Sequence, residues 1–219
     1  MSSLSQEEVT AGQAIYSKAN LGLYDLWVLG ISNRLIWKCP TQCLLDFYNA
    51  HLSANHLDVG VGTGYFLDHC MFPDPPRIVL VDLNANSLEA TAQRIKRYRP
   101  RIYRRNILEP IQLPEEPFDS MGMNYLLHCL PGTLQSKAVV FDQIKPYLNT
   151  GGTVFGSTLL QGGVVRNGVA KWLMKFYNRK GIFCNERDDL DTFKRELAQR
   201  FRESQVQVIG CAALFWAKF

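Results

Sequence analysis

The chain has 219 residues, a formal net charge of +4 and 47% hydrophobic residues, which is typical of one globular domain of enzyme size and does not by itself indicate a nucleic-acid or membrane partner. The polar start at residues 2–8 does not resemble a signal peptide, and no apolar run reaches the roughly 18 residues of a membrane span. Six scattered cysteines are typical of reduced thiols, so we expect a cytoplasmic protein without a membrane span.

Helices and strands are predicted to alternate along the chain. Helical apolar spacing covers residues 11–53, which we interpret as part of an N-terminal helical cap over 1–53. The elements predicted after it are strand 56–60, helix 64–72, strand 78–81, helix 84–98, strand 102–106, strand 118–124, helix 136–148, strand 153–158, a glycine-rich and then helical stretch within 161–185, and helix 188–201. This alternation predicts a parallel sheet covered by helices on both faces.

The chain ends in two predicted strands at 205–209 and 212–219. Only Gly210 and Cys211 separate them. That connection is too short for a parallel crossover, so the two strands are predicted to pair antiparallel.

A glycine-rich turn follows the first predicted strand. Residues 57–64 read Leu-Asp-Val-Gly-Val-Gly-Thr-Gly, and glycines at alternate positions allow a tight strand-to-helix turn that brings bare backbone close to a ligand. A dinucleotide site requires a third glycine at position 65, where this chain has Tyr65. Asp58 also disfavours a phosphate ligand, because both carry negative charge. The turn therefore favours S-adenosylmethionine (SAM).

A second acidic residue follows the next predicted strand. Asp82 lies 18 residues after Gly64 and directly after the apolar run 78–81. A carboxylate at this position can accept hydrogen bonds from both ribose hydroxyls of a nucleoside. The alternative is that Asp82, with Asn84, caps the following helix.

Residues 57–64 resemble motif I of the class I SAM-dependent methyltransferases, and the order of elements resembles that family over about residues 15–219. The resemblance implies an α/β, Rossmann-like three-layer sandwich with a seven-stranded, mostly parallel sheet. The implied strand order is 3-2-1-4-5-7-6 with strand 7 antiparallel, which agrees with the terminal hairpin. It also implies one domain over 1–219, with SAM as cofactor and S-adenosylhomocysteine (SAH) as product.

The same resemblance assigns cofactor contacts along the chain. It implies backbone contacts to the methionyl and ribose parts from the loop glycines, an ordering or ammonium-binding role for Asp58, and ribose binding by Asp82. Asn106 stands where the family often has Asp, and its carbonyl oxygen can still accept a hydrogen bond from the adenine amino group. The implied cofactor residues are Asp58, Gly60, Gly62, Gly64, Asp82, Leu83, Asn106, Ile107, Asn124 and Tyr125.

Methyl transfer from a sulfonium is an in-line displacement, in which the rate depends on holding acceptor, methyl carbon and sulfur in line. The donor carries its own leaving group, so no metal is required and we predict none. His128 is the candidate general base, because it follows the fourth strand at the edge where ligands bind in such sheets. The alternative is that His128 packs near the cofactor or bonds to a loop.

Two stretches are predicted to form the acceptor pocket: the N-terminal cap, and a lid-like insertion over 161–187 after strand five. Aromatic side chains there favour a small apolar or aromatic molecule and exclude water, although each single one is also explained by core packing. The predicted substrate contacts are Tyr16, Tyr24, Trp27, His128, Trp172, Phe176 and Tyr177.

Residues 94–105 include seven positive side chains interleaved with tyrosines. Such a run can bind RNA, but we interpret it as the solvated end of a helix, so we expect no nucleic-acid partner. The prediction is thus methylation of a small molecule of secondary-metabolite type. An RNA or protein methyltransferase, and a cofactor-binding protein of this fold without transferase activity, remain as alternatives. Both a monomer and a homodimer are compatible with the sequence.

Overall fold

The computed structural model describes residues 25–219, with side chains from Leu29 onward. It begins with a wide, π-type helix, α1 (Asp25–Ile36), followed by α2 (Thr41–His51). Asn33 joins them, because its amide Nδ2 donates to Thr41 Oγ1 at 2.9 Å. These two helices are the described part of the predicted N-terminal cap.

Strands then alternate with helices as predicted. Their bounds are β1 (Asn55–Val59), α3 (Tyr65–His69), β2 (Arg77–Asp82), α4 (Ala85–Arg94), β3 (Arg101–Arg104), β4 (Phe118–Asn124), α5 (Leu134–Lys137), α6 (Val139–Ile144), β5 (Leu148–Leu159), α7 (Gly168–Arg179), α8 (Leu190–Arg200), β6 (Glu203–Ile209) and β7 (Ala212–Lys218).

The seven strands form one sheet in the order β3-β2-β1-β4-β5-β7-β6. Strands β1 to β5 pair in parallel, and β7 is antiparallel to both β5 and β6. The predicted strand order and the terminal hairpin are both confirmed. Residues 78–81 are buried on both faces of the sheet, which explains why this strand is a continuous apolar run.

Four predicted helices are shorter in the structure. The one predicted over 64–72 spans Tyr65–His69, and the one predicted over 188–201 spans Leu190–Arg200. The helix predicted over 84–98 ends at Arg94, and a 3₁₀ turn follows at Lys96–Tyr98. The helix predicted over 136–148 is divided into α5, α6 and a 3₁₀ turn at Lys145–Tyr147. Pro146 lies at the start of that last turn, and its missing N–H prevents an α-helical ladder from continuing.

Candidate functional site

The carboxyl ends of β1, β2 and β4 meet at one edge of the sheet. Leu57 pairs with Val79 and Val59 with Val81, and the amide of Gly60 donates to the carbonyl of Val81 at 2.8 Å. This register places the glycine turn beside Asp82. On the other side of β1, Asp58 pairs with Gly122 of β4.

The three glycines of the turn have φ values of 73°, 55° and 72° at Gly60, Gly62 and Gly64, which other residues adopt only with strain. A Cβ atom on Gly60 would lie 2.6 Å from Leu126 Cδ1, and one on Gly64 would lie 2.7 Å from Thr91 Cγ2. At Gly62 a Cβ atom would meet nothing within 4 Å. The positive φ favours glycine at all three positions, and at the two outer ones a Cβ atom would also press on a neighbouring side chain, whereas the middle glycine borders open space.

A cavity of about 220 Å³ lies at this edge. All ten residues predicted to bind the cofactor line it: Asp58, Gly60, Gly62, Gly64, Asp82, Leu83, Asn106, Ile107, Asn124 and Tyr125. The structure thus brings together side chains from four strand ends that are separated in the chain by up to 67 residues.

Asp82 is the last residue of β2 and lies beside the glycine turn. Its Oδ1 accepts a hydrogen bond from the amide of Asn84 at 2.8 Å. Burial raises the pKa of Asp82 to about 6, although bonds from the backbone amides of Asn84, Gly62 and Val61 oppose that rise. Asn84 Oδ1 itself caps α4 by accepting from the amide of Asn86, so the helix is capped by Asn84 and not by Asp82.

Asn106 lies at the end of the cavity next to β3. Its Oδ1 accepts a hydrogen bond from the amide of Leu108 at 3.1 Å, and its Nδ2 donates to Glu109 Oε1 at 2.8 Å. These two bonds hold the Asn106 side chain against the turn that follows it. One lone pair of the carbonyl oxygen remains for a donor such as an amino group.

Asn124 and Tyr125 occupy the end of β4. Asn124 Oδ1 accepts from Ser157 Oγ at 3.0 Å, but its Nδ2 is buried without a hydrogen-bond partner. An unpaired buried donor beside a cavity costs free energy until a ligand supplies an acceptor. Tyr125 has a φ of 54°, and its hydroxyl donates to Asn33 Oδ1 of α1 at 2.9 Å.

Part of the cavity lining outside the predicted cofactor residues is apolar. We call it the apolar wall, and it consists of Leu29, Leu130, Pro131, Ile182 and Phe183. The sequence analysis did not assign these residues. One feature of the sequence could have indicated two of them. Gly181 follows α7 and has a φ of 68°, so the chain changes direction immediately before Ile182 and Phe183.

A buried ion pair lies next to the segment that supplies two of the five residues of the apolar wall, Ile182 and Phe183. Lys137 Nζ of α5 lies 2.7 Å from Asp188 Oδ2 and donates to the carbonyl of Cys184 at 2.6 Å. Neither charged side chain is exposed to solvent. Asn185 adds a further link, since its Nδ2 donates to the carbonyl of Leu159 at 2.9 Å.

His128 lies behind the cavity lining. Its Nδ1 accepts a hydrogen bond from the amide of Leu159 at 3.3 Å, and its ring packs 4.6 Å from that of Phe183. Burial, with a smaller contribution from Lys137, lowers the pKa of His128 to about 3. Because Nδ1 is already an acceptor, the neutral ring has its proton on Nε2 and no free lone pair. This geometry gives a base role no support, and that role stays a prediction.

The aromatic residues predicted on α7 are not brought to the cavity. Trp172 is 65% exposed and stacks on Phe176, which is 37% exposed. Tyr177 contacts the cavity only through Phe183, at a ring distance of 4.9 Å. Tyr16 and Tyr24 lie outside the described residues, as does the side chain of Trp27.

The basic run is partly neutralised by acidic side chains. Arg94 and Arg97 both bond to Asp68, at 3.0 and 2.6 Å, and Arg101 lies 3.1 Å from Glu115. This pairing supports the interpretation of most of the run as a solvated helix end, whereas Arg105, its last residue, lines the cavity.

Within residues 25–219, no helix is long and apolar enough to cross a membrane. The same part of the chain contains no group of three or more side chains suited to hold a metal ion.

Comparisons with known proteins agree with this architecture. A family model for a methyltransferase domain matches residues 57–154. The chain is 42% identical over 215 residues to the demethylluteothin O-methyltransferase of Streptomyces thioluteus, covering 98% of this chain and 94% of that protein. It is 38% identical over 208 residues to a physcion biosynthesis cluster O-methyltransferase of Aspergillus chevalieri, covering 94% of each.

A solved complex of DhpI with SAH has the same fold, with a TM-score of 0.69 at 14% identity over 97% of both chains. The cavity fits SAM, because the turn glycines leave backbone bare, Asp82 provides a carboxylate and Asn124 retains an unpaired donor. The chain belongs to the class I SAM-dependent methyltransferases and uses SAM as its methyl donor.

Proposed function

We propose that this enzyme transfers the methyl group of SAM to a hydroxyl oxygen of a small, apolar molecule, so that the O–C bond forms as the S–C bond breaks, SAH leaves and the hydroxyl proton is released to solvent. The observation that carries the proposal is the 42% identity, over nearly the full length of both chains, to an O-methyltransferase that acts on demethylluteothin. The apolar wall supports it, because an apolar acceptor gains free energy by leaving water there.

The donor is proposed to lie along the glycine turn. SAM supplies a methyl group that its positive sulfur activates for displacement. Asp82 would accept hydrogen bonds from the ribose hydroxyls, and the Asn124 amide would donate to the methionyl carboxylate. Asp58 lines the same cavity and would face the methionyl ammonium. At the other end, Leu83 and Ile107 would pack against the adenine ring.

The acceptor is proposed to lie between the donor and the apolar wall. Leu29 and Phe183 come from opposite ends of the chain and both border the cavity. They would exclude water from the reacting atoms and limit the acceptor's orientations, which increases the fraction of encounters aligned for displacement. We retain 161–187 as a lid-like insertion, since Ile182 and Phe183 belong to it.

The test compares three acceptors with radiolabelled SAM: demethylluteothin, 1-naphthol and 1-naphthylamine. The two naphthalenes have the same shape, so they separate oxygen from nitrogen as the methylated atom. We expect labelled product from at least one hydroxyl compound and none from the amine. Methylation of 1-naphthylamine alone, or of added RNA or protein alone, would contradict the proposal.

We also propose a cytoplasmic location. All six cysteines lie in the described part of the chain and are free thiols, which is the usual state in a reducing compartment. Fractionation of the producing cells should recover the enzyme with cytoplasmic markers.

A further inference from the structure

A chain of buried hydrogen bonds approaches Asp58 from the side of the sheet that α2 covers. It consists of Tyr48 on α2, His56 on β1 and Ser120 on β4, none of which is more than 1% exposed. These three residues do not border the cavity, whereas Asp58 does. The chain therefore contacts the cavity only through the Asp58 carboxylate.

The direction of each hydrogen bond follows from counting protons. Tyr48 Oη donates to Asp58 Oδ2 at 2.8 Å and lies 2.9 Å from His56 Nε2. Because the single phenolic proton goes to Asp58, the phenolic oxygen must accept from His56 Nε2–H. With a single proton on the imidazole, at Nε2, which also lies 3.5 Å from Asp58 Oδ2, Nδ1 is bare and accepts from Ser120 Oγ at 2.8 Å.

The chain ends on backbone. Ser120 Oγ accepts from the amide of Ser53 at 2.9 Å and also lies 2.8 Å from Ser53 Oγ. The bonds from Ser120 through His56 and Tyr48 thus donate toward Asp58, and such aligned bonds polarise one another in a low-dielectric interior. Burial and the nearby Asp58 carboxylate raise the pKa of Tyr48 well above its ordinary value, which keeps the phenolic proton in place.

Gly122 provides the space for this arrangement. It pairs with Asp58 across β1 and β4. A Cβ atom there would lie 2.9 Å from Asp58 Oδ2 and 3.2 Å from His56 Nε2. Any larger residue would displace the two groups that meet at the carboxylate.

We propose that Tyr48 and His56 are positioning residues for the methyl donor. They fix Oδ2 of Asp58 and so leave Oδ1 to face the positive ammonium of the methionyl part. The inference rests on the donor site proposed above, and it adds a specific role for buried residues that do not touch the donor.

The test measures two ligands by calorimetry on the full chain. SAH has the methionyl ammonium, whereas 5′-methylthioadenosine keeps the adenine, ribose and sulfur but lacks the amino-acid part. For Tyr48→Phe we expect the affinity for SAH to fall about tenfold, the scale of a lost hydrogen bond to a charged group. The affinity for 5′-methylthioadenosine should stay within about twofold of wild type, since losses below about 0.4 kcal/mol are near the resolution of such comparisons.

Tyr103→Phe is the matched control, because Tyr103 Oη also donates to a carboxylate, Glu115 Oε1 at 2.7 Å, but does not line the cavity. It should change neither affinity. Equal losses for both ligands in Tyr48→Phe, or no loss for either, would overturn the inference. Failure of the wild-type protein to bind SAH would instead reject the proposed donor site.

A second measurement needs no variant. Nitrogen-15 spectra of the histidine rings in the wild-type protein should show His56 as the neutral tautomer with its proton on Nε2. A proton on Nδ1 would reverse the chain and remove the hydrogen bond from Tyr48 to Asp58, so that result would also overturn the inference.

Discussion

The proposed donor half of the cavity, at the glycine turn and Asp82, is formed largely by backbone and strand ends. The proposed acceptor half, the apolar wall, is formed by side chains from distant elements. In the donor half, the sheet register fixes the glycine turn beside Asp82. In the proposed acceptor half, Leu29 and Phe183 are 154 residues apart in the chain and border the same cavity. The buried Lys137–Asp188 pair lies next to the segment that contains Phe183. The strand order is enough to place residues at neighbouring strand ends together. The position of a packed side chain, in contrast, depends on each tertiary contact that orients it.

The largest effect should come from breaking the buried ion pair next to the acceptor half. Lys137→Met leaves the Asp188 carboxylate buried without its partner, and we expect a loss of about 3–5 kcal/mol in the free energy of unfolding. Urea unfolding measures this. The double variant Lys137→Met/Asp188→Leu should lose less, because it removes both charges. A single-variant loss below about 1 kcal/mol would contradict a stabilising role for the pair.

Removing the acid of the donor half should reduce binding without reducing stability to that extent. Asp82→Ala should weaken SAH binding by about 1.5–3 kcal/mol, the scale of hydrogen bonds to a charged group. That corresponds to about 10- to 150-fold in Kd by calorimetry. Unchanged affinity would show that the ribose lies elsewhere.

Low pH should weaken SAH binding through protonation of Asp82. The pKa of Asp82 is raised to about 6, and the ribose hydroxyls would donate to its ionised form, so SAH affinity should be full above pH 7 and fall as the pH drops below 6. Between pH 7 and pH 5 we expect about a tenfold loss, following proton linkage. The pH dependence should disappear in Asp82→Asn. A decline of the same size in that variant would assign the effect to another group.

The smallest effect on methyl transfer and stability should come from substitutions at exposed residues away from the cavity. Lys96→Gln combined with Arg99→Asn removes two exposed charges of the basic run, and Asn tolerates the left-handed backbone of Arg99, whose φ is 50°. Methyl transfer and stability should stay close to wild type, with changes within about 0.5 kcal/mol. A large loss of transfer to a small acceptor would mean that Lys96 or Arg99 contributes to the site.

The residues at strand ends could be predicted from the sequence, whereas those of the apolar wall could not. Glycine spacing at 60–64 and the acid at 82 are local patterns with direct structural causes, and the strand order places them together. The apolar wall has no such pattern. The rotation of α7 places Trp172 in solvent, and the turn after it brings in Phe183, both of which depend on tertiary contacts. His128 was placed in the correct loop, but its hydrogen bond to the Leu159 amide was not predictable from spacing.

A crystal structure of the enzyme with SAH tests the central claim most directly. We predict the ribose hydroxyls within hydrogen-bond distance of the Asp82 carboxylate, the methionyl part along Gly60–Gly64, and the sulfur facing Leu29 and Phe183. SAH bound with its ribose away from Asp82, or with its sulfur pointing away from the apolar wall, would contradict the division into a donor half and an acceptor half.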